Sequence, residues 1–184
     1  MMTVWFACWF AFVLAQRLLE LRLAARNAKR IRAQGGYEMG AAHYPLLVGL
    51  HAAFFLSTLA EFTLRVPAFR GWFAVPTAAF VALQAARWWC IRSLGTYWNT
   101  RVFVVPGMRL VRKGPYRFVR HPNYWVVTLE MAALPLMFGC WTTAVLFPLL
   151  NAAVLRERIA VENEALREAS NATWTPSPEG ADAR

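Results

Sequence analysis

Long uncharged blocks alternate with short basic stretches along this chain, and the blocks have membrane length. Met1 to Gln16 is uncharged and rich in Trp, Phe and Ala. Arg17 to Arg32 then sets Arg17, Arg22, Arg26, Lys29, Arg30 and Arg32 against a single acid, Glu20. This pattern predicts one helix that leaves the bilayer and stops at Gly35 and Gly36. Tyr44 to Ala60 is a second uncharged block, with Glu61 and Arg65 at its far end. Gly71 to Cys90 is a third, with Arg87 near its exit and Trp88 and Trp89 at the interface.

Residues 92 to 121 form a polar loop with seven Arg or Lys residues and no acid. Gly95, Pro106, Gly107, Gly114 and Pro115 break it into turns. From Pro122 to Leu155 the only formally charged side chain is Glu130. As one helix that stretch would run about 51 Å, against a hydrocarbon core of roughly 30 Å. A hairpin of two short helices turning at Gly139 fits better, with Pro135 and Pro148 as kink positions. Arg156 to Ala169 reads as a charged helix, and residues 170–184 as a frayed tail.

The expected fold is therefore all-α: one membrane domain over 1–184 with about five transmembrane helices, the last two a hairpin. The 17–43 and 92–121 loops hold six and seven basic residues, the 61–71 turn two, and the 139–141 turn none. Positive-inside counting then puts the N-terminus outside and the basic loops in the cytoplasm. The first block lacks a basic n-region and a small-x-small cleavage site, so it reads as a retained span rather than a signal peptide.

Composition strengthens this picture. The 184 residues are 58% hydrophobic and 16% charged, with nine Trp and thirteen Phe. A soluble domain carries roughly 25% charged residues. The net charge of +10 lies in flanks between apolar blocks, where it meets anionic lipid headgroups rather than nucleic acid. Cys8, Cys90 and Cys140 show no C-x-x-C spacing, so neither a metal nor a disulfide frame is expected.

Candidate chemistry gathers at "GPYRFVRHPNYWVV", residues 114–127. Pro122 suits the first turn of a helix, with His121 at the cap. The N–H groups of Asn123, Tyr124 and Trp125 then face the loop and favour an anion. Tyr116 and Tyr124 add hydroxyl donors. The same residues also fit an aromatic belt with positive anchors. In "RERIAVENEAL", residues 156–166, Arg158 and Glu162 share one helix face. The hairpin returns that face to the side of His121 and Tyr116. Glu130, inside an apolar block, is expected to pair with Arg87. His51 reads as a hydrogen-bonded group within the second block.

"LGTYWNTRVFVVPGMRLVRKGPYRFVRHPNYWVV" followed by R-x-x-x-E-x-x-x-L resembles the isoprenylcysteine carboxyl methyltransferase family, over about residues 94 to 166. The resemblance implies an integral membrane enzyme using S-adenosylmethionine, with its catalytic core over 94–169. It implies cofactor contacts from Met108, Arg109, Leu110, Val111, Tyr116, His121, Pro122, Asn123, Tyr124 and Glu162. Arg158 matches the arginine that meets the substrate's acidic group, so Arg158 and Glu162 are the expected catalytic pair. The opening "QRLLELRLAARNAKR…GGYEMGAAHYPLLVGLH" is similar to a bacterial branch associated with O-methylation of long-chain alkylpyrones. The implied partners are a lipophilic or prenylated acceptor and membrane lipids, with no metal and no nucleic acid. One departure is that Leu166 leads into "REASNATWTPSPEG" where the family often has an F-G-x-x-Y-like segment. Sterol-reductase-like membrane proteins carry a similar R-H-P-x-Y string, so an NADPH-dependent lipid reductase is the rival enzyme. A scaffold or small transporter is the rival from another class.

Overall fold

The computed structural model describes residues 2–65, 67, 71–107 and 111–171, with side chains through residue 167. Five helices carry it. They are α1 (Met2–Ala33), α2 (Tyr44–Arg65), α3 (Ala74–Leu94), α4 (Pro122–Leu136) and α5 (Trp141–Asn171). Met2–Ala33 and Ala41–Arg65 are long and apolar enough to cross a membrane by length and composition.

The molecule is layered along its helices. At one end lies an aromatic core. Phe6 of α1 stacks on Phe62 of α2, with centroids 3.9 Å apart, and meets Phe138 edge-on at 4.9 Å. Phe73, Phe80 and Phe147 are buried in the same cluster. The cluster forms because α1 begins, α2 ends and the α4–α5 hairpin turns at this end. Aromatic pairs of this geometry add roughly 0.5–1.5 kcal/mol each beyond their buried area.

The hairpin turns where the sequence places it. Gly139 has φ +68°, and a Cβ there would come within 3.3 Å of Pro67 Cβ. Gly139 N–H donates to Leu136 O at 3.1 Å and Cys140 N–H to Pro135 O at 3.0 Å, closing the end of α4. The start of α5 is capped from α2. The Glu61 carboxylate accepts the Thr142 and Thr143 amides at 3.0 and 2.8 Å. A carboxylate at a helix N-terminus satisfies orphan donors and the helix dipole together.

Two expectations change. The apolar stretch up to Leu155 and the charged stretch after it are one continuous helix, Trp141–Asn171. At 1.5 Å per residue it is about 46 Å long, so its last turns project over the start of α4. Nor is the fold purely α-helical. Strands β1 (Tyr37–Met39) and β2 (Val102–Val104) pair antiparallel, with Glu38 opposite Phe103. Strands of three residues are too short for an alternating pattern, and their pairing joins loops far apart in sequence. Val-Phe-Val has high strand propensity, and Val102 and Val104 bury against Ala165 of α5. The ribbon thus braces the projecting end of α5.

Candidate active site

The loop after α3 is fixed before the site is built. Asn27 of α1 donates to Trp98 O at 2.8 Å, and Asn99 donates back to Ala24 O at 2.9 Å. Arg101 stacks on the Tyr44 ring, 4.2 Å from its centroid. Gly114 has φ +55°, and a side chain there would run into Ser93 Oγ and Trp89 Nε1. Only glycine lets this loop lie against α3, and the following turn, Gly114–Arg117, delivers Tyr116.

Pro122 opens α4 and His121 is its N-cap residue. The Tyr124 N–H is taken by His121 O at 3.2 Å. The expected set of three free amides is therefore reduced, and the side chains carry the site instead. Arg158 Nε donates to the Tyr124 hydroxyl at 2.9 Å, and Tyr124 donates to Glu162 Oε2. Glu162 Oε1 lies 3.6 Å from His121 Nδ1. His121 Nε2 donates to Asn163 Oδ1 at 3.2 Å. The result is a continuous chain from Arg158 through Tyr124 and Glu162 to His121. Arg158 Nη2 is pinned to Thr100 O at 2.6 Å, and no partner of Nη1 is found among the described residues.

Electrostatics follow from these contacts. The hydrogen bond to Glu162 raises the His121 pKa above its ordinary value, against some desolvation. Both imidazole nitrogens face acceptors, which favours the doubly protonated ring. Burial acts to raise the Glu162 pKa. Hydrogen bonds from His121 and Tyr124, with the charge of Arg158, outweigh burial and hold it below the usual carboxylate range. Burial pushes the Tyr116 phenol up, so it is a neutral donor.

The pair has a defined pH window. A raised His121 pKa stabilises the fold fully below the unfolded histidine value of about 6.5. That contribution is lost as pH rises through the folded value. A lowered Glu162 pKa adds stability above about 4.3, lost as pH falls through its folded value. The stability difference between the parent and His121→Gln is therefore expected to be largest near pH 5–6 and to shrink toward alkaline pH. Thermal unfolding of both proteins across pH 4–9 checks this, and a difference that grows toward pH 9 contradicts it.

The site opens on one cavity of about 410 Å³. Tyr116, His121, Asn123, Tyr124, Arg158 and Glu162 line it. Pro122 is buried as the first residue of α4. Val111 is half-buried and is not among the lining residues. Met108, Arg109 and Leu110 lie outside the described residues. Two buried polar atoms of lining residues, Trp98 Nε1 and Asn123 Oδ1, have no hydrogen-bond partner among the described residues. Together with the Glu162 anion they suit a polar, partly cationic molecule.

Sequence reasoning missed Asn163, Tyr44 and Thr100. Asn163 directly follows Glu162, but nothing local marks it as the histidine's acceptor. Thr100 acts through its carbonyl, which no side-chain pattern reveals. The pairing of Glu20 was also missed, although its i, i+3 spacing from Arg17 at the edge of an uncharged block is a local signal for it.

A family match, with two helices long and apolar enough to cross a membrane, supports a membrane methyltransferase-like class. Residues 74–168 match the isoprenylcysteine carboxyl methyltransferase (ICMT) family, and the chain belongs to it. The protein is 41% identical over 160 residues to "Uncharacterized protein YpbQ" of Bacillus subtilis, covering 87% of this chain and 95% of that one. It is 26% identical over 158 residues to an "Uncharacterized protein" of Haemophilus influenzae, covering 85% and 92%. No solved structure matches.

Proposed function

We propose that the protein is an S-adenosylmethionine-dependent O-methyltransferase acting on the acidic oxygen of a lipophilic substrate within the membrane. That oxygen belongs to an isoprenylcysteine-type carboxylate or an alkylpyrone hydroxyl. The observation that carries this reading is the linked Arg158–Tyr124–Glu162–His121 chain on the wall of a largely apolar cavity. In this reading the five helices span the bilayer, the N-terminus is outside, and the site opens to the cytoplasmic side.

The chemistry is an in-line displacement. S-adenosylmethionine supplies, when bound, a methyl group on a sulfonium, and the C–S electron pair stays with sulfur as the O–C bond forms. Glu162 holds the cationic portion of the cofactor, and Tyr116, His121, Asn123 and Tyr124 hold its polar groups. Arg158 Nη1 holds the acceptor oxygen, while Nε and Nη2 are fixed on Tyr124 and Thr100. A carboxylate is already ionised at pH 7, so the protein contributes positioning and desolvation.

Purified protein in nanodiscs is expected to bind S-adenosylhomocysteine saturably and NADPH not at all. Saturable NADPH binding with none of S-adenosylhomocysteine would favour the lipid reductase. Binding of neither would favour a scaffold or transporter.

A further inference from the structure

The cavity has a second polar layer deeper in the helices. Helices α2 and α5 run antiparallel: Tyr44 at the start of α2 and Arg158 in the second half of α5 both meet Thr100, while Ser57, further along α2, and Thr143, at the start of α5, bond at 2.8 Å. Six residues separate His51 from Ser57, about 9 Å, and eight separate Asn151 from Thr143, about 12 Å. His51 and Asn151 therefore sit within one helical turn in depth. Arg158 is seven residues, about 10 Å, nearer the loops than Asn151. Both deep residues line the same cavity as Arg158.

The chemistry of this layer is set by hydrogen bonds. His51 Nδ1 lies 2.8 Å from Leu47 O. A carbonyl can only accept, so Nδ1 carries the proton and Nε2 presents a lone pair in the neutral ring. No partner of Nε2 is found among the described residues. Asn151, wholly buried, donates Nδ2 to Thr128 Oγ1 at 2.8 Å and leaves Oδ1 without a partner among them. The neighbouring cations are already engaged. Arg17 bonds Glu20 and Glu130, and Arg87 bonds the same two acids. The layer thus offers acceptors and asks for a donor.

We infer that the lipophilic acceptor carries a hydroxyl about 13 Å from its methylated oxygen, and that His51 Nε2 accepts its hydrogen bond. This rests on the methyltransferase reading and narrows its substrate class. A plain hydrocarbon tail leaves both acceptors unmet in an apolar wall, and an acceptor with a polar group at that distance meets one of them. His51 is then a specificity-determining residue, set apart from the methyl-transfer end.

The test uses two synthetic probes: a long-chain 4-hydroxy-2-pyrone with a plain tail, and the same molecule with one mid-tail hydroxyl. Binding to the full chain in nanodiscs, with S-adenosylhomocysteine present, is measured separately from methyl transfer. The hydroxylated probe is expected to bind about three- to tenfold tighter. His51→Phe is expected to remove that preference while keeping affinity for the plain probe. His51→Gln, which retains an acceptor, is expected to restore part of it. In ¹⁵N spectra, the Nε2 signal of His51 should move with the hydroxylated probe only. Equal affinity for the two probes, affinity for neither, or a preference that survives His51→Phe overturns the inference. Methyl transfer without the preference sinks this inference alone. The preference without methyl transfer sinks the methyltransferase reading and leaves His51 as the hydroxyl-recognising residue of a ligand that is not methylated.

Discussion

Glu162→Gln is expected to lower methyl transfer by about a hundredfold or more, the loss typical for removing one preorganised electrostatic contact. The side chain keeps its shape and loses its charge. Tyr124 and His121 both direct donors at this carboxylate, and Arg158 adds its charge through Tyr124. An amide cannot accept from all of them, and its NH₂ would face His121 or Tyr124 as a second donor. Arg158→Ala is expected to cost as much by a different route. Arg158→Lys should recover little, because the guanidinium uses its fork: Nε on Tyr124, Nη2 on Thr100 O, and Nη1 toward the acceptor. The two variants should separate in binding. Glu162→Gln weakens S-adenosylhomocysteine, whereas Arg158→Ala leaves it nearly unchanged and acts on the acceptor. Radiolabelled methyl transfer in membranes, with kcat and KM resolved, measures this. Parent rates in both variants would remove these residues from the active site.

These two residues were readable because Arg158 and Glu162 are four apart, and helix geometry puts them on one face without tertiary information. His121 was readable for a related reason: proline at the first turn fixes where α4 starts. The hairpin turn was readable from Gly139 and from the length of the apolar stretch. What the sequence could not show is where long-range partners fall. The His121–Asn163 bond joins residues 42 apart, and the Arg158 bond to Thr100 joins residues 58 apart. The β-ribbon was hidden for the same reason, since each strand is only three residues long and its partner lies beyond two helices. The join in α5 is hidden in the sequence because a rise in charge resembles a boundary. A helix continues through a change of solvent when no Gly or Pro interrupts it, and residues 149–171 contain neither.

Glu130→Leu is expected to destabilise the fold by about 3–5 kcal/mol, the range for breaking a buried ion pair from one side. Arg87 is 6% exposed and Glu130 3%. Arg87 places Nε and Nη2 on Glu20, both at 2.6 Å, and Nη1 on Glu130 at 3.1 Å. Arg17 reaches Glu20 at 2.8 Å and Glu130 at 2.7 Å. Gln84 donates to Glu130 Oε1 at 2.9 Å. Two cations and two anions from three helices thus form a neutral cluster, and losing one acid leaves a net positive charge among apolar helices. The network does not itself require a stability gain, since apolar replacement of a whole buried cluster is often neutral. Charge balance is what each single change violates. Arg17→Leu added to Glu130→Leu restores neutrality and should recover part of the loss, with a coupling of about 0.5–3 kcal/mol in a double-mutant cycle. Unfolding in detergent micelles, followed by tryptophan fluorescence, gives all four corners of that cycle. A double variant less stable than either single one would show that the side chains matter for packing and not for balance. Arg17, Glu20 and Arg87 also line the cavity, so the cluster forms part of the wall against which the acceptor packs. A variant that unbalances it should loosen acceptor binding before it disturbs the Arg158–Glu162 end.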